Sequence, residues 1–175
     1  LAEHEVDDRV RARANRVLVA IAEDDDAERI WMEGNASTDA RIRREVMTGC
    51  LASGSIDRIA LAWHELRRLA ESTDPQQRIL AAQVLRKVGS STFHRPLLRL
   101  LGDPNRNVQR AAIVACKSVR HPRLLPIIVR ALRSRGLRAP AAATLIAIGP
   151  SILPLVRDYA HESRDWRVRV RALRV

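Results

Sequence analysis

The feature of this sequence that most limits its fold is an internal repeat of about 30 residues in its second half. A polar residue that suits a helix start recurs at spacings of 29, 31 and 31. Mostly apolar residues follow it at plus five, plus eight and plus eleven. Such intervals place side chains on one helix face. The polar residues are Asp74, Asp103, Ser134 and Asp165, and the residues at plus five are Ile79, Val108, Ala139 and Val170.

A second helix is predicted in each copy of the repeat. It begins near a proline followed by two apolar residues, at Pro96, Pro126 and Pro154. Proline costs little in the first turn of a helix, where backbone N–H groups lack a helical partner. Asp74 and Asp103 each precede a proline and are predicted to be the N-caps of the first helices. Gly89, Ser118 and Gly149 are predicted to end them.

A single helix hairpin cannot bury its apolar face, whereas hairpins stacked side by side can. The predicted fold is therefore all-α, a right-handed α-solenoid of about five to six antiparallel hairpins. Residues 1–54 are expected to form degenerate or capping repeats, and residues 55–175 regular repeats of one continuous solenoid with the last one truncated. The low aromatic content, 3%, fits a thin core of Ala, Leu, Ile and Val.

The pattern of Asp, four residues, an apolar residue and then Ala, with proline in the companion helix, resembles the HEAT repeat. The 30-residue form is similar to the HEAT-like repeats of bacterial proteins, including phycobilin lyases (the PBS-lyase type). The resemblance implies an interaction scaffold. In that family an Arg after the apolar position often pairs with the repeat Asp in a ladder. Arg171 fits this place, but Leu80, Gln109 and Pro140 occupy it in the other copies.

The first 73 residues are expected to hold further helices. Residues 2–22 form a predicted amphipathic helix with Val6, Val10, Ala14, Val17, Leu18 and Ile21 on one face. The acidic run at residues 23–26 is expected to close it and open the next helix. Residues 34–39 are predicted to be a loop, followed by helices over residues 39–51 and 56–71. The last is capped by Ser55, with Ile59, Trp63, Leu66 and Leu69 inward, and is expected to pair with the helix after Asp74.

The net charge of +11 is divided unevenly along the chain. Residues 1–73 hold 11 Arg and 15 Asp or Glu, whereas residues 74–175 hold 20 Lys or Arg and 5 Asp or Glu. A basic half of this kind favours an acidic or polyanionic partner. Two cysteines, Cys50 and Cys116, are predicted to be buried free thiols in a reducing compartment, which places the chain in the cytoplasm, or in the cytosolic part of a membrane-anchored protein.

No catalytic motif is found, and no cofactor or metal is expected. The five histidines lack metal-ligand spacing. His94 and His121, near the starts of second helices, are predicted to be turn residues. Asp165 beside Trp166 is the one pair of the kind used by HEAT-like DNA glycosylases, and Asp165 already has a capping role. Residues 139–156 carry no charge, but Pro140, Gly149, Pro150 and Pro154 interrupt them, so no membrane span is expected.

A recurring arginine is the best candidate site. Arg78, Asn107, Arg138 and Arg169 each precede the first apolar residue of a copy, so three arginines would form a row at helix starts. Arginine suits bidentate contact with carboxylate or phosphate. Solvated charges on a rim are the alternative interpretation. The candidate partner-binding residues are Arg78, Arg106, Arg110, Arg138, Arg167, Arg169 and Arg171.

The predicted function is a non-catalytic protein-interaction scaffold whose basic repeats bind an acidic protein segment or the remainder of a parent chain. Changing Arg78, Arg138 and Arg169 to Glu is then expected to abolish binding and leave stability intact. Sequence-nonspecific nucleic-acid binding is the alternative, and a lyase-like or glycosylase-like role is a minor one. Both chain ends look cut, so a fragment of a larger protein is expected, with a membrane-associated regulatory protein as one fitting parent.

Overall fold

The structure is a computed structural model that describes the backbone of residues 2–162 and the side chains of residues 7–158. This part contains ten α-helices, three short 3₁₀ turns and no strand. The predicted all-α fold class is therefore confirmed. The helices are α1 Ala2–Ile21, α2 Asp24–Ala36, α3 Ala40–Ala52, α4 Ile56–Glu71, α5 Pro75–Val88, α6 His94–Leu101, α7 Arg106–Ala115, α8 Leu125–Ala131, α9 Arg138–Ile148 and α10 Leu153–Glu162.

The chain divides into two compact units, residues 1–73 (unit 1) and residues 74–175 (unit 2). This division falls where the charge of the sequence changes sign. The boundary drawn from repeat regularity, between residues 54 and 55, stays a prediction. So does the pairing of the helix over residues 56–71 with the helix after Asp74.

Unit 1 is built around α3, which packs against α1, α2 and α4. Two glycines permit the close helix crossings. A Cβ on Gly49 would meet the carbonyl oxygen of Arg16 and lie 2.5 Å from Cγ1 of Val19, and a Cβ on Gly34 would collide with Cγ2 of Val46. Glycine at these positions is therefore a packing requirement, because any side chain would push the helices apart.

The buried face of α1 differs from the prediction. Ala12 and Val19 are buried, whereas Val10, Val17, Leu18 and Ile21 are exposed. The crossing at Gly49 explains the difference, because α3 approaches the α1 backbone at Arg16 and Val19. The face that accepts this close approach is buried, although it is not the most apolar face of the helix.

Helix boundaries in unit 1 follow the sequence signals closely. Asp39 and Ser55 cap α3 and α4 as predicted, with their side chains accepting hydrogen bonds from the backbone N–H groups of Arg41 and Arg58. One expectation was wrong, because α2 continues to Ala36 through most of the predicted loop at residues 34–39. On α4 the predicted inward residues divide, with Leu66 and Leu69 buried and Ile59 and Trp63 half-buried.

The guanidinium of Arg58 closes the end of α1. It donates to the carbonyl oxygens of Val19 at 3.1 Å, Ala20 at 3.2 Å and Ala22 at 2.7 Å. It also pairs with Asp24 at 2.8 Å, in the first turn of α2. The last carbonyls of a helix have no helical partner, so a cation that binds them stabilises the helix end. Arg58 thereby joins the starts of α4 and α2 to the end of α1.

Unit 2 consists of the helix pairs α5–α6, α7–α8 and α9–α10. Helix α7 packs against both α5 and α9, and α8 packs against α10. Small and aliphatic side chains form the core, including Ala82, Leu85, Val108 and Leu145. Pro96, Pro126 and Pro154 lie in the first turns of α6, α8 and α10, and Gly89 and Gly149 follow α5 and α9, as predicted. The stacked hairpins confirm the solenoid type of fold.

The structural repeat is offset from the sequence repeat by two residues at α7. Asn105, not Asp103, is the N-cap of α7, and its side chain accepts from the N–H of Asn107. Buried positions in the three first helices accordingly repeat at offsets of 31 and then 29: Ala81, Val84 and Leu85 in α5, Ala112, Ala115 and Cys116 in α7, and Ala141, Thr144 and Leu145 in α9. The prediction that Asp103 caps α7 was wrong, because this carboxylate turns to Arg78.

Candidate functional site

Four of the predicted binding arginines lie in the described part of unit 2, on the first helices of successive hairpins. Arg78 is on α5, Arg106 and Arg110 are on α7, and Arg138 begins α9. The other three predicted residues, Arg167, Arg169 and Arg171, lie outside the described residues.

Arg78 is engaged in an ion pair between two hairpins. Its Nε lies 2.6 Å from Oδ2 of Asp103, and its Nη2 lies 3.1 Å from Oδ1. The side chains are 13% and 6% exposed. The N–H of Asn105 donates to the same carboxylate at 2.8 Å. This bidentate pair ties α5 to the turn before α7, so changing Arg78 to Glu would place two carboxylates together and disturb stability as well as binding.

The electrostatics of the pair are consistent with this structural role. Burial alone would raise the pKa of Asp103, but hydrogen bonds from Arg78 and from the backbone of Asn105, with the charge of Arg78, lower it overall. The pKa of Arg78 is raised, mainly by the hydrogen bond to Asp103. Both groups are therefore charged across the neutral range, and each satisfies the other.

The remaining three arginines converge on the turn between α8 and α9. Arg110 Nη2 donates to the carbonyl oxygen of Gly136 at 3.4 Å, and Arg138 Nε donates to that of Leu132 at 3.3 Å. A Cβ on Gly136 would lie 3.1 Å from Nη1 of Arg106. Arg106 and Arg110 are exposed, and Arg138 is half-buried. The predicted row is thus a cluster of three arginines, and Arg78 makes a separate contact one hairpin away.

A second basic region lies at the opposite ends of the same helices, where each hairpin turns. We call it the turn edge and define it as residues 86–95 and 117–123. Two contacts show that successive turns are neighbours. The imidazole rings of His94 and His121 stack with centroids 3.6 Å apart and planes within 4° of parallel. A Cβ on Gly89 would lie 3.6 Å from Cβ of Ser118.

The sequence analysis did not bring these histidines together. It placed each of them correctly near the start of a second helix, but it treated them as unrelated turn residues. Their separation of 27 residues, close to one repeat, was the available signal. In a stack of hairpins such a spacing puts two side chains at matching places of neighbouring repeats.

Unit 1 contains a cavity of about 330 Å³ at the helix ends that Arg58 joins. Trp31, Ala27 and Leu61 supply apolar walls, and Asp24, Glu28 and Asp57 supply carboxylates. Cys50 also lines it, but burial raises the pKa of this thiol to about 11, an effect the charge of Arg58 only partly opposes. Because the thiol is protonated near neutral pH, Cys50 is a poor nucleophile.

Unit 2 has a smaller, apolar cavity of about 210 Å³ between α9 and α10. Its lining includes Leu145, Ile146 and Val156, and it contains no charged group. The second cysteine, Cys116, is buried elsewhere in the unit and hydrogen-bonds to the carbonyl oxygen of Ala112 at 3.2 Å. Burial raises the pKa of its thiol to about 12. The two free, buried cysteines agree with the sequence prediction.

Two other searches of the described residues have plain results. Within residues 2–162, no group of three or more His, Cys, Asp or Glu side chains is arranged to hold a metal ion. In the same range, no single helix is long and apolar enough to cross a membrane. The segments Arg138–Ile148 and Pro150–Asp158 reach that length and composition together, but they are bent by 110° at their junction.

The geometry is that of stacked helix pairs, and comparison with known proteins agrees. Residues 65–146, from the second half of α4 to α9, match the family model described as HEAT repeats. No curated protein and no solved structure matches the chain. HEAT repeats are generally protein-interaction scaffolds, and the family is typically non-catalytic. Across residues 65–146, this chain belongs to the HEAT-repeat family.

Proposed function

We propose that the chain is a non-catalytic scaffold whose unit 2 binds an acidic segment of a protein partner. The observation that carries the proposal is the charge of that unit, 20 Lys or Arg against 5 Asp or Glu. One of those few acids, Asp103, is buried against Arg78 and does not offset the surface charge. A surface of this kind attracts carboxylate-rich ligands and speeds their association.

The arginine cluster of Arg106, Arg110 and Arg138 is the proposed contact region, together with Arg167, Arg169 and Arg171. Their side chains suit carboxylates because a guanidinium can donate two parallel hydrogen bonds to one carboxylate. Arg78 is not required to touch the partner in this proposal, because Asp103 already holds its guanidinium. The cytoplasmic placement belongs to the same proposal and is supported by the free thiols of Cys50 and Cys116.

A binding experiment tests the proposal. The probe is a fluorescein-labelled peptide of twelve residues in which Glu and Ser alternate, measured by anisotropy at low and at physiological salt. The triple variant R106E/R110E/R138E should weaken binding at least tenfold. The control R11E/R13E/R67E changes the net charge equally on exposed arginines of unit 1 and should bind as the unaltered chain does.

Three outcomes would contradict the proposal. The peptide could fail to bind at low salt, or the two triple variants could lose affinity equally, which would show a nonspecific effect of net charge. A random-sequence DNA duplex could also bind at least tenfold more tightly than the peptide at the same salt. This last result would make nucleic acid the partner, with an affinity that falls steeply as salt rises.

A further inference from the structure

The turn edge has an unusual charge composition. Every charged residue in it is a cation, and the set is Arg86, Lys87, Arg95, Lys117, Arg120 and Arg123. The opposite ends of the same hairpins mix signs, because Asp74 and Asp103 lie there. Arg95 and Arg123 are exposed, and Arg120 reaches only the carbonyl oxygen of Ala147 at 3.5 Å. An acidic ligand would therefore meet little competition from carboxylates of this chain at the turn edge.

The stacked histidines lie within this basic edge, and their hydrogen bonds differ. His121 Nδ1 accepts from the N–H of Arg123 at 3.2 Å, so its neutral form carries the proton on Nε2. A second proton on His121 would break that bond. His94 Nδ1 lies 3.1 Å from the carbonyl oxygen of Ser91, and only the ring can donate there. His94 can therefore take a second proton on Nε2 and keep its bond.

The pair is suited to hold one additional proton but not two. An imidazolium on His94 can stack on the neutral ring of His121, because a cation is attracted to an aromatic face. Two imidazolium rings at 3.6 Å would repel each other strongly. In the free protein the pKa of His121 is lowered, first by burial and then by the charges of His94 and Arg123. Protonation of His121 is disfavoured on these grounds as well.

The charged residues on the elements that surround the pair are all cations. They lie in the last turn of α5, on α6, after the end of α7, in the 3₁₀ turn before α8 and on α8 itself. They are Arg86, Lys87, Arg95, Arg99, Lys117, Arg120, Arg123 and Arg130. These charges oppose an additional proton in the free protein. A bound carboxylate would compensate for them and favour the imidazolium, so binding and protonation support each other.

We propose that the turn edge is a binding surface for the acidic segment, and that binding is coupled to the uptake of one proton by His94 in the His94–His121 stack. This inference rests on the proposed function. Its sign follows from linkage: a ligand that raises the affinity for a proton binds more tightly as the pH falls. The dependence is limited to tenfold per pH unit for one proton, and it lies around the histidine range, where Glu side chains of the ligand stay ionised.

The test measures the Kd of the Glu–Ser peptide from pH 5.5 to 8.0 at constant ionic strength. For the unaltered chain, Kd should fall about 3- to 10-fold between pH 7.5 and 6.0. The variants H94N and H94Q remove the titrating ring, and two versions guard against one that folds poorly. Both should bind with little dependence on pH. The control H64N removes an exposed histidine of α4 and should keep the full dependence.

A charge-reversal pair tests the location. R95E/R123E should weaken the peptide at least tenfold at every pH, whereas R11E/R13E, with the same change in net charge, should not. No peptide binding by the unaltered chain at pH 6.0 would overturn both this inference and the proposed function. Binding that is lost in R106E/R110E/R138E but indifferent to pH, to H94N or to R95E/R123E would overturn this inference alone.

Discussion

At the scale of single residues, Asp103 is the clearest example of a side chain whose role depends on a distant partner. We expect D103N to lower the free energy of unfolding by about 1–3 kcal/mol, because the buried charge-assisted bonds to Arg78 are lost while an oxygen remains for Asn105. Chemical denaturation followed by circular dichroism measures this change. A loss below about 0.5 kcal/mol would contradict a stabilising role for the ion pair.

The lowered pKa of Asp103 fixes how this contribution depends on pH. A carboxylate with a lower pKa in the folded state stabilises the fold above its unfolded pKa of about 3.9. That stabilisation is lost as the pH falls through the folded value. The difference in stability between the unaltered chain and D103N should therefore be constant from pH 5 to 7 and shrink below about pH 4.

At the scale of helices, the crossing of α1 and α3 depends on the absence of a side chain at Gly49. G49A should destabilise unit 1 by about 1–3 kcal/mol, because the added methyl meets the Arg16 carbonyl and Val19. The backbone oxygen cannot move away without shifting α1, and this cost outweighs the better helix propensity of alanine. Thermal unfolding measures the effect.

Gly102 provides the matched control for that substitution. A Cβ there would lie 3.5 Å from its nearest listed neighbour class, the carbonyl oxygen of Arg99, which is ordinary contact. Its backbone φ of −93° suits any residue. G102A should therefore change stability by less than about 0.5 kcal/mol, the range of a neutral surface substitution. Equal losses in both variants would point to a general cost of replacing glycine and away from the crossing.

The boundaries of the helices were largely predictable, because their signals are local. Asp39, Ser55 and Asp74 sit next to the N–H groups that they cap, and Gly89 and Gly149 adopt the positive φ that ends a helix. A few adjacent residues contain all of this information.

The contacts that organise the candidate site are not local, and the sequence did not reveal them. Arg58 binds carbonyls 36 to 39 residues away, and Arg78 reaches Asp103 across 25 residues. The second contact displaces the cap of α7 to Asn105 and removes Arg78 from the predicted row. A local pattern gives the type of each residue, whereas its partner depends on how the hairpins stack.

At the scale of the whole molecule, the division of charge coincides with the division into compact units. Unit 1 has more acids than bases, and unit 2 has a fourfold excess of Lys and Arg over Asp and Glu. Concentrating so many like charges in one unit opposes its folding through self-repulsion. A purely structural role would not require this, whereas attraction of an acidic partner does, because the partner supplies the missing charge.

This reasoning predicts that salt stabilises the free chain. Raising NaCl from 10 to 150 mM shortens the Debye length from about 30 to about 8 Å and screens repulsion among the cations of unit 2. Relief of about 1 kcal/mol would raise the Tm of that unit by roughly 5 °C. The acidic peptide should raise the Tm further at 10 mM salt, and this additional gain should diminish as salt increases, because both effects neutralise the same charges. A Tm that falls with salt would instead mean that ion pairs such as Arg78–Asp103 outweigh the repulsion, and the excess charge would then lose its explanation as a feature kept for binding.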